Sequence, residues 1–206
     1  MKQTEIKSKL KNILAEVTDI IGSVLVSVFV VTMIFTYILR VSAVKGESME
    51  NTLMPEEKVI STAAYFNPRV GDIVIIDADD AVLLDENGEP DIRSGLGKRI
   101  VKRIIAVAGQ TVDIDFVRGA VYVDGEMLDE PYITGLTHID EGAFSGSYPV
   151  TVPEGYVFVL GDNRAVSKDS RSSEVGFVSE DSIAGKVFFR IAPLNRFGFV
   201  TDGSDI

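Results

Sequence analysis

An uncharged apolar run at residues 20–39 is the feature that most limits what this chain of 206 residues can fold into. Coiled as a helix, the run is about 30 Å long, which matches the hydrocarbon core of a bilayer. A helix that is apolar on every face over this length is seldom the core helix of a soluble domain. Asp19 and Arg40 bracket the run. We therefore predict one membrane-spanning helix at 20–39.

A cleavable signal peptide is the main alternative for such a run. The apolar core of a signal peptide is normally shorter, and a cleavage site with small residues follows it. Here the segment Arg40-Val41-Ser42-Ala43-Val44-Lys45 follows instead. This pattern favours an anchor that the protein retains.

The distribution of basic residues predicts the orientation of the anchor. Four lysines precede the span, whereas Arg40 and Lys45 are the basic residues just after it. Because basic residues concentrate on the cytoplasmic side, we predict a cytoplasmic tail at 1–19 and an extracytoplasmic domain at 40–206. No later run approaches the roughly 18 consecutive apolar residues that a second span requires.

Charge and composition exclude several classes of function. Six of the 20 Lys and Arg residues and three of the 31 Asp and Glu residues lie in 1–45, which leaves 46–206 with a net charge of −14. Nucleic-acid binding requires a basic face, so no nucleic-acid partner is predicted. Without Cys, the chain has no disulfide framework, thiolate nucleophile or Cys-ligated zinc.

Cofactor motifs are also absent from the sequence. The acidic stretch from Asp77 to Asp85 lacks the order of ligands and glycine that an EF-hand calcium loop requires, and it reads as a solvated loop. No strand pattern is followed by a phosphate-binding glycine loop. We therefore predict no metal and no cofactor.

After residue 40, short β-branched runs alternate with turn signals, and no long helical period occurs. Asp124-Gly125 predicts a tight hairpin. Surface loops are predicted at 85–97 and 132–147. The predicted fold is mainly β: an antiparallel, all-β extracytoplasmic domain that follows a single N-terminal transmembrane helix. The predicted strands are 58–62, 72–77, 99–107, 111–115, 120–124, 156–160 and 186–191.

One histidine and no cysteine leave few ways to activate a nucleophile. His138 lies in the polar run Thr137-His138-Ile139-Asp140-Glu141, which is typical of a solvated loop. A neutral lysine amine is then the remaining base for a serine hydroxyl. Because the ordinary lysine pKa is about 10.4, activity near neutrality requires apolar burial that lowers this pKa by roughly 2 to 3.

Lys102 has the surroundings that such a base requires. In a strand over 99–107, a period of two places Lys102 on an apolar face and Arg103 on the opposite face. A single lysine in a strand would ordinarily extend to the surface, so the pattern alone leaves both interpretations open. The residues that share the face of Lys102 are Ile100, Ile104 and Ala106.

Ser48 does not match the common nucleophile motifs. Glu50 stands where a nucleophile elbow requires Gly. Two other segments, Ser42-Ala43-Val44-Lys45 and Ser8-Lys9-Leu10-Lys11, fit the Ser-x-x-Lys pattern of penicillin-binding proteins. The partner motifs Lys-Thr-Gly and Ser-Asp-Asn do not occur, so this family is disfavoured.

Four ordered segments together resemble bacterial type I signal peptidases, in the short form of Gram-positive bacteria. These enzymes are membrane-anchored Ser/Lys proteases that remove signal peptides from exported proteins. The resemblance extends from the anchor to about residue 196. The four segments are Gly46-Glu47-Ser48-Met49-Glu50-Asn51-Thr52-Leu53, Arg69-Val70-Gly71-Asp72-Ile73-Val74, Lys102-Arg103-Ile104-Ile105-Ala106-Val107-Ala108-Gly109, and Gly161-Asp162-Asn163-Arg164 continuing to Arg171.

The resemblance implies the reaction and its partners. Ser48 would be the nucleophile and donate its backbone N–H to the oxyanion, Lys102 would be the general base, and Met49 would contact the substrate. The substrates would be signal peptides of exported preproteins with small residues at −1 and −3. The protein would be a single-pass protein of the cell membrane, in contact with the lipid bilayer and, as a further candidate partner, the secretion machinery.

The resemblance also implies a set of supporting residues. Ser167 would hydrogen-bond the lysine amine, and Asp169 and Arg171 would form an ion pair beneath the site. Asn51 replaces the usual Pro, which predicts a looser loop around Ser48. The other supporting residues are Asp162, Asn163 and Arg164.

Two other hypotheses remain open on the sequence alone. One is a related Ser/Lys peptidase with a narrow client set, such as a pilin-processing enzyme or a LexA-like self-cleaving protein. The predicted membrane span and the absence of a DNA-binding region disfavour the hypothesis of a LexA-like protein. The other is an inactive, membrane-tethered β-domain that binds signal peptides, which intact Ser48 and Lys102 disfavour.

The orientation of the anchor can be tested with reporter fusions. A reporter joined after Ile206 is expected to be active only if it is an extracytoplasmic enzyme, because the lysine-rich tail stays inside. Activity of a cytoplasmic reporter at the same position would contradict the predicted orientation.

Overall fold

A computed structural model describes the protein over residues 2–62, 67–144 and 146–200, with side chains from Lys11 onward. The chain divides into two compact units, Met1–Leu39 and Arg40–Ile206. We describe each unit by itself. The predicted reporter position at Ile206 and part of the predicted loop 132–147 lie outside the described residues.

The first unit is one helix, α1, over Lys2–Tyr37. Its stretch Lys11–Tyr37 has 27 residues and contains an 18-residue window with a mean hydropathy of 2.3, so it is long and apolar enough to cross a membrane. Hydroxyl groups within this stretch donate to carbonyls one turn earlier, as Ser27 Oγ does to Ser23 O at 2.8 Å. In a bilayer, such bonds would satisfy hydroxyl groups that lipid tails cannot hydrogen-bond. The helix ends two residues before the predicted boundary at Leu39, because Leu39 already begins a strand.

The second unit is mainly antiparallel β-structure, which confirms the predicted fold class. Within the described residues, two short 3₁₀ helices, Glu180–Ser182 and Leu194–Arg196, accompany the strands. The strands of the described residues are β1 (Leu39–Ala43), β2 (Lys58–Thr62), β3 (Ile73–Leu84), β4 (Pro90–Val107), β5 (Thr111–Asp115), β6 (Ala120–Val123), β7 (Glu126–Met127), β8 (Val150–Thr151), β9 (Tyr156–Leu160), β10 (Val178–Ser179), β11 (Ile183–Ala192) and β12 (Gly198–Phe199).

The strands of the described residues form two sheets. The larger has the order β1-β2-β11-β3-β4-β9-β10, with β12 on β11, and the smaller has the order β7-β6-β5-β8. Strand β4 pairs with β3 along most of its length, but with β9 only from Arg103 to Val107. Among the described residues, the part of β4 that precedes Arg103 therefore presents an open edge.

Several predicted strands have the observed bounds, and one predicted region is wrong. The bounds of β2, β5 and β9 coincide with the prediction, and Asp124 and Gly125 adopt the positive φ angles, 53° and 83°, that a tight hairpin requires. The predicted loop at 85–97 is instead a turn followed by the start of β4, and the acidic stretch from Asp77 lies in β3. The hairpin formed by the end of β3 and the start of β4 has a solvated face that tolerates charged side chains, so its composition resembles that of a loop.

In the part of the chain that the structure describes, three hydrophobic clusters form the core. The first joins the two sheets through the rings of Phe144, Phe158 and Phe177, whose closest pair of centroids is 4.7 Å apart. The second cluster contains residues of β3, β4 and β9, among them Ile100 and Ile104. The third packs the segment after β1 against β3 and β11. The second and third clusters flank the residues of the candidate site.

Candidate active site

Ser48, the candidate nucleophile, lies in an irregular segment (47–53) that we therefore call the nucleophile loop. Two buried side chains attach this loop to the domain. Met49 and Leu53 are 1% and 0% exposed and belong to the third cluster. The loop is also held by its carbonyls, since every one from Glu47 to Thr52 accepts a hydrogen bond. The donors, in order, are Glu50 N, Asn163 N, Leu53 N, Thr134 Oγ1, Arg196 Nη2 and Arg190 Nη2.

The segment that begins at Gly161 packs directly on the nucleophile loop. Asn163 N donates to Ser48 O at 3.0 Å. A Cβ atom at Gly161 would lie 2.5 Å from Ser48 O and 2.1 Å from Ser167 Oγ. Only glycine allows this approach, which explains why the sequence has Gly at position 161.

Lys102 reaches the nucleophile loop from β4. Its Nζ lies 2.7 Å from Ser48 Oγ and 2.8 Å from Val101 O, and the residue is 2% exposed. Strand alternation places Lys102 between Ile100 and Ile104 of the second cluster, as predicted. Ala106 does not share this face, because the pairing register of β4 shifts between Ile104 and Ala106, and Ala106 packs in the first cluster.

The surroundings of Lys102 favour a neutral amine. Burial lowers the pKa of Lys102 from 10.5 to about 8. The carboxylates of Asp169 and Asp162 oppose this change, while the positive charges of Lys98 and Arg171 add to it. Desolvation of the ammonium form is therefore the dominant effect. A neutral amine at 2.7 Å from a hydroxyl can accept its proton.

Asp169 and Arg171 form a buried ion pair close to this site. Arg171 Nε lies 2.9 Å from Asp169 Oδ1, and both side chains are 0% exposed. Burial alone would raise the pKa of Asp169, but hydrogen bonds from Arg171 hold it below its ordinary value. Asp169 Oδ2 also accepts from Gly161 N at 3.0 Å, so the pair holds the segment that contacts Ser48 O.

Ser167 does not make the predicted bond to the lysine. Lys102 Nζ has Ser48 Oγ and Val101 O as its partners, and among the described residues the buried Ser167 Oγ has no partner at hydrogen-bond geometry. The Ser167 hydroxyl lies near enough to Asp169 to help lower the pKa of that carboxyl.

Asp162 and Arg164 hold the site through ion pairs whose partners the sequence analysis did not identify. Asp162 receives two hydrogen bonds from Arg103, at 2.9 and 2.8 Å, with both side chains 1% exposed. Arg164 is paired with Glu130 and donates to Thr137 Oγ1 at 2.6 Å. The role of Arg103 could have been found in the sequence, because an arginine on a buried strand face requires a carboxylate partner. No feature of the sequence marked Glu130 as the partner of Arg164.

A groove of about 920 Å³ lies beside the Ser48–Lys102 pair. It is bounded by the open edge of β4 from Lys98 to Lys102, by Gly46 and by Val166. Met49 is buried in the third cluster and is not among the described residues that line this groove, so its substrate contact stays a prediction. His138 is exposed, and its Nδ1 lies 3.0 Å from Phe116 O.

A loop serine beside a buried lysine is an arrangement found in serine hydrolases. The sequence profile of the family described as "Signal peptidase, peptidase S26" matches residues 17–192. The chain is 32% identical over 195 residues to "Signal peptidase IB" of Staphylococcus aureus (strain COL), covering 88% of this chain and 93% of that protein. It is 35% identical over 158 residues to "Probable signal peptidase I-1" of Synechocystis, covering 75% and 72%.

Among solved structures, a signal peptidase I from Enterococcus faecalis V583 is 28% identical, with a TM-score of 0.42, covering 60% of this chain and 98% of that one. The profile match and the Staphylococcus relatives are sufficient to assign the family. The chain belongs to the S26 signal peptidase family, as the sequence motifs predicted.

Disruption of the Asp169–Arg171 pair should destabilise the protein. Asp169→Ala or Arg171→Ala leaves an unpaired charge in the interior, which costs about 3 to 5 kcal/mol. Arg93→Ala is a matched control, because its 2.7 Å pair with Asp91 is exposed and is worth at most about 1 kcal/mol. Chemical denaturation in detergent measures the difference. Equal denaturation midpoints in all three variants would contradict the prediction.

Proposed function

We propose that this protein is a membrane-anchored signal peptidase I in which Ser48 is the nucleophile and Lys102 is the general base. The observation that carries the proposal is the 2.7 Å contact between Lys102 Nζ and Ser48 Oγ. Membership of the family supports the activity, and the lowered pKa of Lys102 supports the choice of base.

The proposed reaction needs only groups of this chain and water. The neutral Lys102 amine takes the Ser48 proton as Oγ attacks the carbonyl carbon of the scissile bond. The Ser48 backbone N–H donates no hydrogen bond within the described residues, so it is available to the oxyanion. The Lys102 ammonium then protonates the leaving amine, and water activated by the same amine hydrolyses the acyl-enzyme.

The groove supports a peptide substrate in extended conformation. Among the described residues, β9 does not pair with β4 from Lys98 to Lys102, and Val101 O on this edge accepts from Lys102 Nζ. The other backbone groups of this open edge can bind an extended chain as an added strand. Such a chain would deliver its scissile bond to the Ser48–Lys102 pair at one end of the edge. We infer signal peptides of exported preproteins as substrates, with small residues at −1 and −3.

Helix α1 supports the membrane location. Its apolar stretch Lys11–Tyr37 is long enough to span the bilayer, and the lysines of the tail favour a cytoplasmic N-terminus. The β-rich unit would then act on the outer side, where preproteins emerge from the secretion machinery.

The nucleophile can be tested by replacing Ser48. Ser48→Ala should abolish cleavage of a labelled preprotein, because it removes the attacking oxygen. The fold should persist, since the hydroxyl contributes little packing. His138→Ala is a matched control that should keep full activity. Cleavage at the wild-type rate by Ser48→Ala would exclude Ser48 as nucleophile.

The base can be tested by the pH dependence of cleavage. Because the neutral amine is the active form, kcat/KM should rise with pH through about 8 and level off above it. Lys102→Met and Lys102→Arg should both be inactive, the latter because a guanidinium stays protonated. A kcat/KM profile governed by a group near 6.5, or an active Lys102→Arg, would require a different base.

A further inference from the structure

A second cluster of charges, away from the Ser48–Lys102 pair, contacts the nucleophile loop. Glu57 is buried just after this loop and faces two arginines. Its Oε2 lies 2.7 Å from Arg190 Nε, and its Oε1 lies 2.9 Å from Arg196 Nη1. Glu57, Arg190 and Arg196, which we call the Glu57 cluster, combine one negative with two positive charges.

Both arginines of the Glu57 cluster donate hydrogen bonds to the nucleophile loop. Arg190 Nη2 donates to Thr52 O at 2.6 Å, and Arg196 Nη2 donates to Asn51 O at 3.0 Å and to Thr52 O at 3.3 Å. Hydrogen bonds from a charged donor are roughly twice as strong as neutral ones. Two consecutive peptide units of the loop are therefore held by the strongest donors that contact its backbone.

The Glu57 cluster is itself attached to the large sheet. Arg190 lies in β11, opposite Val59 of β2, and its Nη1 donates to Arg196 O at 3.1 Å. Glu57 Oε2 accepts from Met54 N at 3.1 Å. Glu57 and Arg190 are buried, whereas the Arg196 side chain is 32% exposed. The cluster thus connects an irregular loop to regular structure.

We propose that the Glu57 cluster positions the nucleophile. It fixes the peptide units of Asn51 and Thr52, and so keeps Ser48 Oγ at hydrogen-bond distance from Lys102 Nζ. The Glu57 cluster acts through the loop and does not line the groove beside the Ser48–Lys102 pair. The proposal rests on the proposed roles of Ser48 and Lys102.

The test replaces Arg196, because its partly exposed side chain can be removed without opening the core. Arg196→Ala should lower kcat roughly tenfold to a hundredfold, since a displacement of about 1 Å at reacting groups has effects of this size. KM should change less than about twofold, because the groove keeps its residues. The rise of kcat/KM should stay near pH 8, because the burial of Lys102 is unchanged. Glu57→Gln should lower kcat in the same direction.

Two further variants separate positioning from general stability. Arg196→Lys keeps one charged donor and should recover part of kcat. Arg93→Ala removes an arginine from an exposed pair and should keep wild-type kcat. Wild-type kcat in both Arg196→Ala and Glu57→Gln would overturn the proposal. A rise in KM at unchanged kcat, or an equal loss in Arg93→Ala, would also overturn it.

Hydrogen exchange tests the hold on the loop without relying on catalysis. The Leu53 amide donates to Met49 O at 2.8 Å and reports on the order of the loop. Its exchange should be faster in Arg196→Ala than in the wild type and Arg93→Ala. Equal exchange rates would overturn the proposal. A wild-type protein that cleaves no signal peptide would instead refute the proposed function, and exchange alone would then decide whether the cluster orders the loop.

Discussion

The contact between Lys102 and Ser48 depends on removing an amine from water. Lowering the pKa of Lys102 from 10.5 to about 8 corresponds to roughly 3 kcal/mol of destabilisation of the ammonium form at neutral pH. The folded protein binds this proton more weakly than the unfolded chain does. The contribution of Lys102 to stability therefore rises with pH between about 8 and 10.5. The rest of the domain must supply the energy for this burial.

Three of the four buried arginines among the described residues lie around the site, and each of these three is paired with its own carboxylate. The pairs are Arg103 with Asp162, Arg164 with Glu130, and Arg171 with Asp169. Buried pairs add little net stability, because desolvation offsets their attraction, but breaking one is costly. Their main consequence is geometric: they hold the segment 161–171, whose Asn163 N donates to Ser48 O. Because the nearby carboxylates of Asp162 and Asp169 are paired with arginines, Lys102 has no carboxylate within ion-pair distance among the described residues.

The sequence predicted the fold class and the local strands well, because short β-branched runs between turn residues determine strands such as β2 and β9. It failed at the arm of β3 and β4, where charged side chains on a solvated face resemble a loop. Ser48 and Lys102 could be chosen as candidate residues because the motifs that contain them occur in the same order as in the family that the sequence resembles.

The partners of the site were less accessible to sequence reasoning. Glu130 lies 34 residues from Arg164, and Arg190 lies 138 residues from Thr52. Such pairs are created by the fold, and no local pattern marks them. The expected looseness at Asn51 illustrates this limit, because the carbonyl of Asn51 is held by an arginine from the opposite end of the chain.

The open edge of β4 has a consequence for the timing of processing. An added strand along Lys98 to Lys102 requires a client segment of about five residues with free backbone groups. A segment already in a helix or a folded domain has those groups occupied. Under the proposed reaction, the enzyme therefore acts on chains that have not yet folded around the cleavage site, and a client that folds early protects its own signal peptide from removal.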